Sequence, residues 1–274
     1  MSEPPQRREG PFLQRAGRTL FRWRSFTPVP LVLLALPLLW RSRGAASPLW
    51  LLGGLALCVS GQALRAWVLG QVPDGTSGQN EKLIAVSLNT TGPYAVTRNP
   101  LYLGNFAITL GLCVVAHDGL LIALVAALFG LQYRAIIAAE EDFLRGQFGK
   151  DFDAYRARVP RFWPRVPVAE TLADLVPAKP PRPFDWRRAL RKEHNPAAAW
   201  VSLAIVLVAG DHLLGGPEAS GFGPRASVVA RLWPYALALA VTAFIWLGIK
   251  GWKHRWLHGG FTSDLRRRLR ESAR

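Results

Sequence analysis

The feature that most constrains this chain is the separation of its charges from its apolar residues. Residues 31–40, 49–59, 101–115, 119–131, 197–209 and 235–249 contain no Asp, Glu, Lys or Arg. The 34 Lys and Arg, set against 18 Asp and Glu, border these blocks instead, as Arg41 does beside Trp40. A nucleic-acid-binding domain of this charge would interleave basic with polar residues and carry far fewer than 11 Trp and 13 Phe. The pattern therefore excludes most soluble folds and predicts a polytopic membrane protein with no nucleic-acid partner.

A hydrocarbon layer about 30 Å thick needs roughly 20 helical residues at about 1.5 Å each. With interfacial flanks added, the blocks predict an all-α membrane bundle of about six spans near 26–40, 48–70, 100–116, 119–138, 197–214 and 232–250. The first holds Pro28, Pro30 and Pro37, so a kinked or re-entrant helix competes with a clean span there, and a cleaved signal peptide is a further alternative. Charge orients the chain. Six Arg precede residue 26, twelve Lys or Arg lie in 139–196 and eight follow from Lys250, whereas the opposite connections hold only Arg41, Arg43, Arg225 and Arg231. The positive-inside rule then puts both termini in the cytoplasm, in a multi-pass protein of the cell membrane, and topology with anionic lipid accounts for most of the basic excess.

The expected organisation is a basic tail over 1–25, a membrane core over 26–165, a Pro-rich interfacial connector over 166–196, a C-terminal pair of spans over 197–250 and a basic tail over 251–274. Cys58 and Cys113 fall inside spans as small apolar residues, and no spacing of Cys, His or acids predicts a metal site.

His117, Asp118 and Gly119 leave room only for a tight turn, so spans three and four are antiparallel neighbours. The start of one and the end of the other must then meet at the cytoplasmic face. Two polar clusters lie at those places. In Arg98-Asn99-Pro100-Leu101-Tyr102-Leu103-Gly104, Pro100 suits the first helical turn and Asn99 the preceding cap. The exposed N–H groups and Arg98 suit a carboxylate or phosphate, while Gly104 permits close approach of a ligand or a helix. At the end of span four, Glu140 and Glu141 repel each other and the helix dipole, so they call for a cation or a hydrogen-bond donor. A ligand could supply it; equally, Glu141 could pair with Arg145 and leave Glu140 solvated. A zwitterionic ligand fits the two clusters together, and spacing alone selects no particular one.

The ordered set of Gly92-Pro93-Tyr94, Arg98 to Gly104, Glu140-Glu141 with Leu144, Phe148-Gly149, Tyr155 and Val159-Pro160-Arg161-Phe162 resembles the isoprenylcysteine carboxyl methyltransferase and phospholipid methyltransferase superfamily. The resemblance covers about residues 60–165. It implies an integral membrane enzyme using S-adenosylmethionine from the cytoplasmic side on a lipid or lipidated small-molecule acceptor. It further implies that Tyr94, Arg98, Asn99, Pro100, Tyr102 and Gly104 line the cofactor site, that Glu140 and Glu141 close it, and that Arg65 and Trp67 lie near the acceptor. Arg98 and Glu140 would be the catalytic pair. Asn99 stands where the isoprenylcysteine enzymes usually carry His, as in the phospholipid N-methyltransferase form of the motif. Two other readings compete: an NADPH-dependent membrane lipid reductase of similar helical arrangement, and a non-catalytic lipid-binding membrane protein.

Overall fold

The computed structural model describes residues 11–23, 47–72, 85, 87–164, 184–214 and 228–272, and every element in them is helical. The helices are α1 (Pro11–Trp23), α2 (Pro48–Gln71), α3 (Pro93–Val96), α4 (Pro100–Val115), α5 (Gly119–Phe148), α6 (Lys150–Arg158), α7 (Trp186–Leu214) and α8 (Val228–Ser272). Four of them, α2, α5, α7 and α8, are long and apolar enough to cross a membrane. The shorter α4, at 16 residues and about 24 Å, is also apolar in overall composition. The predicted first span, 26–40, lies outside the described residues.

The turn between α4 and α5 is as tight as the sequence requires. His117 adopts a φ of 43°, and the buried Asp118 caps α5 by accepting a hydrogen bond from the Leu121 N–H at 2.8 Å. Cys113, Ala116, Leu121 and Val125 form a small core beneath it, with Leu207 of α7 packed alongside.

The α2–α4 seam depends on residues without bulk. A Cβ at Gly61 would stand 2.5 Å from the Gly104 carbonyl oxygen, and one at Gly54 would stand 2.6 Å from that of Gly111. Between them Cys58 is fully buried. Small residues let two backbones approach within lipid, where dispersion rather than the hydrophobic effect holds helices together.

Three boundaries differ from the sequence expectation. The fourth span was expected to end near 138, but α5 runs to Phe148. Beyond the apolar block its sequence stays free of Gly and Pro until Gly146, and Phe152, Tyr155 and Val159 pack with Leu144 and Phe148 to hold the extension. The connector was expected to reach 196, but α7 starts at Trp186. Asp185 begins it, accepting the Arg188 N–H at 2.9 Å, and the Pro-rich composition stops before that point. The expected basic tail over 1–25 contains α1, an amphipathic helix lying along α5 so closely that a Cβ at Gly17 would collide with the Ala135 carbonyl.

Gly61→Val should lower the thermal stability of the detergent-solubilised protein by about 1–3 kcal/mol through overpacking of the seam. Gly130→Ala, at a glycine with open space around it, should leave stability unchanged or slightly raised. Equal losses in both variants would show that the seam is not the tight contact.

Candidate functional site

The two polar clusters converge as expected. The Tyr102 hydroxyl, on the first turn of α4, donates to Glu140 of α5 at 2.7 Å. Around this bond lies a cleft walled by Tyr94, Arg98, Asn99, Tyr102, Glu140 and Glu141, with Leu88, Leu144, Phe152 and Tyr155 forming its apolar side. Six of the eight residues expected at the cofactor position thus share one cleft. Pro100 and Gly104 do not line it. Pro100 is fully buried in the helix start, and Gly104 faces α2, where the Arg65 side chain would meet any Cβ.

Glu141 is 7 % exposed and sits between two guanidinium groups. Arg98 Nη2 approaches one oxygen at 3.2 Å, and Arg161 Nη2 donates to the other at 2.6 Å, with Arg161 Nε at 3.2 Å from both. The expected alternative partner, Arg145, pairs instead with Asp153 of α6 at 3.1 Å. This outcome follows from the length of α5. The carboxylates lie well before the last turn of the helix, where its dipole no longer acts on them. What they need is a counter-charge, and Pro160 and its neighbours bring Arg161 back to supply it.

That return is fixed by backbone pairing. The Arg98 N–H donates to the Pro160 carbonyl at 2.9 Å, the Thr97 hydroxyl to the Phe162 carbonyl at 2.9 Å, and Asn99 Nδ2 to the Arg161 carbonyl at 2.7 Å. Asn99 therefore occupies the cap position of α4, but its side chain holds 159–162 rather than capping the helix. Gly149, at a φ of 51°, turns the chain between α5 and α6, and the Tyr155 hydroxyl of α6 donates to the Tyr94 carbonyl at 2.7 Å.

Arg98 has donors to spare. Its Nη2 is engaged by Glu141, while Nε and Nη1 are buried and without a hydrogen-bond partner. Burial pushes this guanidinium below its ordinary value; Glu141 opposes that, and the nearby Arg161 and Arg156 add to it. Two unsatisfied donors of a buried cation in the wall of a cleft are costly unless an anion meets them. Burial first and the Glu140 charge second raise the Tyr94 hydroxyl above its usual range, and burial likewise raises that of Tyr155, so both remain neutral at physiological pH.

Arg65 and Trp67, expected near the acceptor, separate. Arg65 grips Glu193 of α7 through Nε at 2.9 Å and Nη2 at 2.7 Å, and its Nη1 donates to Asn105 of α4. Asn105 then reaches the Tyr133 hydroxyl at 3.3 Å, and the Tyr133 ring meets that of Tyr102 edge-on at 4.7 Å. Arg65 is thus linked to the cleft through side chains rather than lining it. Trp67 is 39 % exposed and outside the cleft. Sequence reasoning missed Phe21 of α1 and Ala85, Ser87, Leu88 and Asn89 as parts of the wall. The amphipathic period of 11–23 was the available signal for Phe21.

Residues 49–151 match the phospholipid methyltransferase family. The resemblance read from the motif set is borne out over that segment, which begins before Arg65 and takes in both polar clusters. A nickel-cobalt-cadmium resistance protein of Alcaligenes xylosoxydans xylosoxydans is 40 % identical over 82 residues, covering 30 % of this chain and 38 % of that protein. A cobalt-zinc-cadmium resistance protein of Cupriavidus metallidurans is 39 % identical over 80 residues, covering 29 % and 37 %. The chain spans less than two fifths of the length of these curated relatives. No solved structure matches. The matched segment spans α2, α4 and α5, and two of these, α2 and α5, are long and apolar enough to cross a membrane.

Glu141→Ala should destabilise the protein by about 3–5 kcal/mol, because it strands Arg98 and Arg161. Glu141→Gln should cost less, since it keeps hydrogen-bond acceptance. Thermal unfolding in detergent measures both, and an Ala variant as stable as the wild type would contradict the clamp.

Proposed function

We propose that the chain is an integral membrane enzyme that transfers a methyl group from S-adenosylmethionine to a lipid or lipidated small-molecule acceptor at the cytoplasmic face of the cell membrane, with both termini on that face. The observation that carries the reading is Arg98, whose Nε and Nη1 are buried in the cleft wall with no partner. A carboxylate oxygen gives either of these N–H groups a charge-assisted bond, and the amino-acid end of the cofactor supplies one.

The rest of the cleft fits the same molecule. Leu88, Leu144 and Phe152 offer an apolar shelf, and Glu140 and Tyr102 offer an acceptor and a hydroxyl for amine or ribose groups. Among the described residues, Arg98 is the one basic side chain that lines the cleft, and Glu140 and Glu141 line it too. This balance disfavours the phosphates of a nicotinamide dinucleotide. Of the expected set, Tyr94, Arg98, Asn99, Tyr102, Glu140 and Glu141 would hold the cofactor, and Pro100 and Gly104 would act by shaping α4.

When bound, S-adenosylmethionine supplies an electrophilic methyl group for in-line displacement. The protein contributes position and dryness. Arg98, held by Glu141, fixes the anionic end, and the apolar wall excludes water from the acceptor side. Glu140, hydrogen-bonded by Tyr102, is placed to accept a proton if the acceptor is an amine; a carboxylate or thiolate acceptor requires none.

Purified protein incubated with methyl-labelled S-adenosylmethionine and a membrane lipid extract should transfer label into the lipid fraction. Arg98→Ala should reduce transfer by about a hundredfold or more through lost cofactor affinity. Glu140→Gln should bind the cofactor but turn over about 10²-fold slower with an amine acceptor. Absence of any labelled lipid, or transfer indifferent to both substitutions, would refute the reading.

A further inference from the structure

The C-terminal pair α7 and α8 lies outside the family match and, together with α2, walls a second cleft. Between α2, α7 and α8 runs a cleft of about 550 Å³, apolar along Leu190, Ala197 and Val201 of α7 and Ile245 and Ile249 of α8. One polar group in its wall lacks a partner. His194 is 5 % exposed, and its Nδ1 is buried without a hydrogen bond. The adjacent Glu193 cannot satisfy that need, because Arg65 takes both its oxygens and Gln62 donates to one of them at 2.6 Å. A buried imidazole nitrogen without a partner in the wall of an apolar cleft calls for a ligand that is greasy and carries a hydrogen-bonding group at that depth.

The other end of the pair gives the ligand its charge. One turn past Ile249, a cleft of about 280 Å³ is lined by Arg187, Arg188, Arg191 and Lys253, with Asp185 the one acid among the described residues. Asp185 is engaged by Arg188, which also donates to the Val72 carbonyl at 2.8 Å. Trp186, in the wall of the apolar cleft, stacks on Trp252, in the wall of the basic one, at 6.2 Å and 18° between planes. His194 follows Trp186 by eight residues, about 12 Å along the helix. Phosphate, ester oxygens and acyl chain succeed one another in that order in a glycerophospholipid.

We propose that α7 and α8 bind an anionic glycerophospholipid, with its phosphate between Arg187 and Lys253, an ester oxygen or hydroxyl at His194 Nδ1, and an acyl chain in the apolar cleft. The site is separate from the methyl-transfer cleft and does not rest on that activity. The charge of the basic cleft selects a lipid with an anionic headgroup over a zwitterionic one.

The test uses the full chain in detergent, titrated with phosphatidylglycerol, phosphatidylcholine or inorganic phosphate, with native mass spectrometry and thermal unfolding as readouts. Phosphatidylglycerol should bind saturably and raise the melting temperature, and the other two should not. Arg187→Ala combined with Lys253→Ala, at exposed or half-exposed positions, should weaken that binding by about tenfold or more. His194→Leu should weaken it without changing the preference for the anionic headgroup; if this variant fails to fold, the double variant alone decides. Equal stabilisation by phosphatidylcholine, an equal response to phosphate alone, or unchanged binding in the double variant would overturn the proposal.

Discussion

The buried carboxylate of Glu141 holds the site together. It lies inside a helix rather than at its end, and two guanidinium groups from distant points in the sequence converge on it. A charge buried to this extent must be compensated, so α5, the segment before α4 and the segment after α6 are fixed relative to one another. That fixation also commits Nη2 of Arg98 and leaves its Nε and Nη1 buried in the cleft wall without a hydrogen-bond partner. The architecture of the mouth follows from this ion pair.

A second constraint acts within the membrane. Because lipid offers no water to polar groups, Arg65, Glu193, Gln62, Asn105 and Tyr133 satisfy one another across four helices. They can do so only because Gly61 and Gly104 bring α2 and α4 close enough for the Arg65 stem to lie against Gly104. Tyr102 ends this chain of contacts at Glu140, so the packing of α2 and α7 reaches the candidate site through side chains.

Much of this was legible in the sequence, for physical reasons that differ by element. The membrane helices were legible because a hydrocarbon layer tolerates few charges, and the α4–α5 hairpin because His117, Asp118 and Gly119 allow nothing longer than a turn. Arg98, Tyr102, Glu140 and Glu141 stood out because a capped Pro helix start and adjacent carboxylates both carry an unmet electrostatic demand. Arg161 was not identified as the partner of Glu141, since it lies 20 residues away beyond Pro160 and no local spacing links the two. The continuation of α5 past the apolar block was hidden because hydropathy marks where lipid ends, not where a helix does. Phe21 was hidden because a basic amphipathic segment reads as a surface helix until α5 is seen beneath it.

The central claim is that Arg98 receives the carboxylate of S-adenosylmethionine in a cleft unsuited to nicotinamide dinucleotides. Calorimetric titration of the purified protein with S-adenosylmethionine and, separately, NADPH tests it most directly. The account predicts saturable binding of S-adenosylmethionine, weakened about a hundredfold or more in Arg98→Ala, and no binding of NADPH. Tight NADPH binding with no response to S-adenosylmethionine would contradict it.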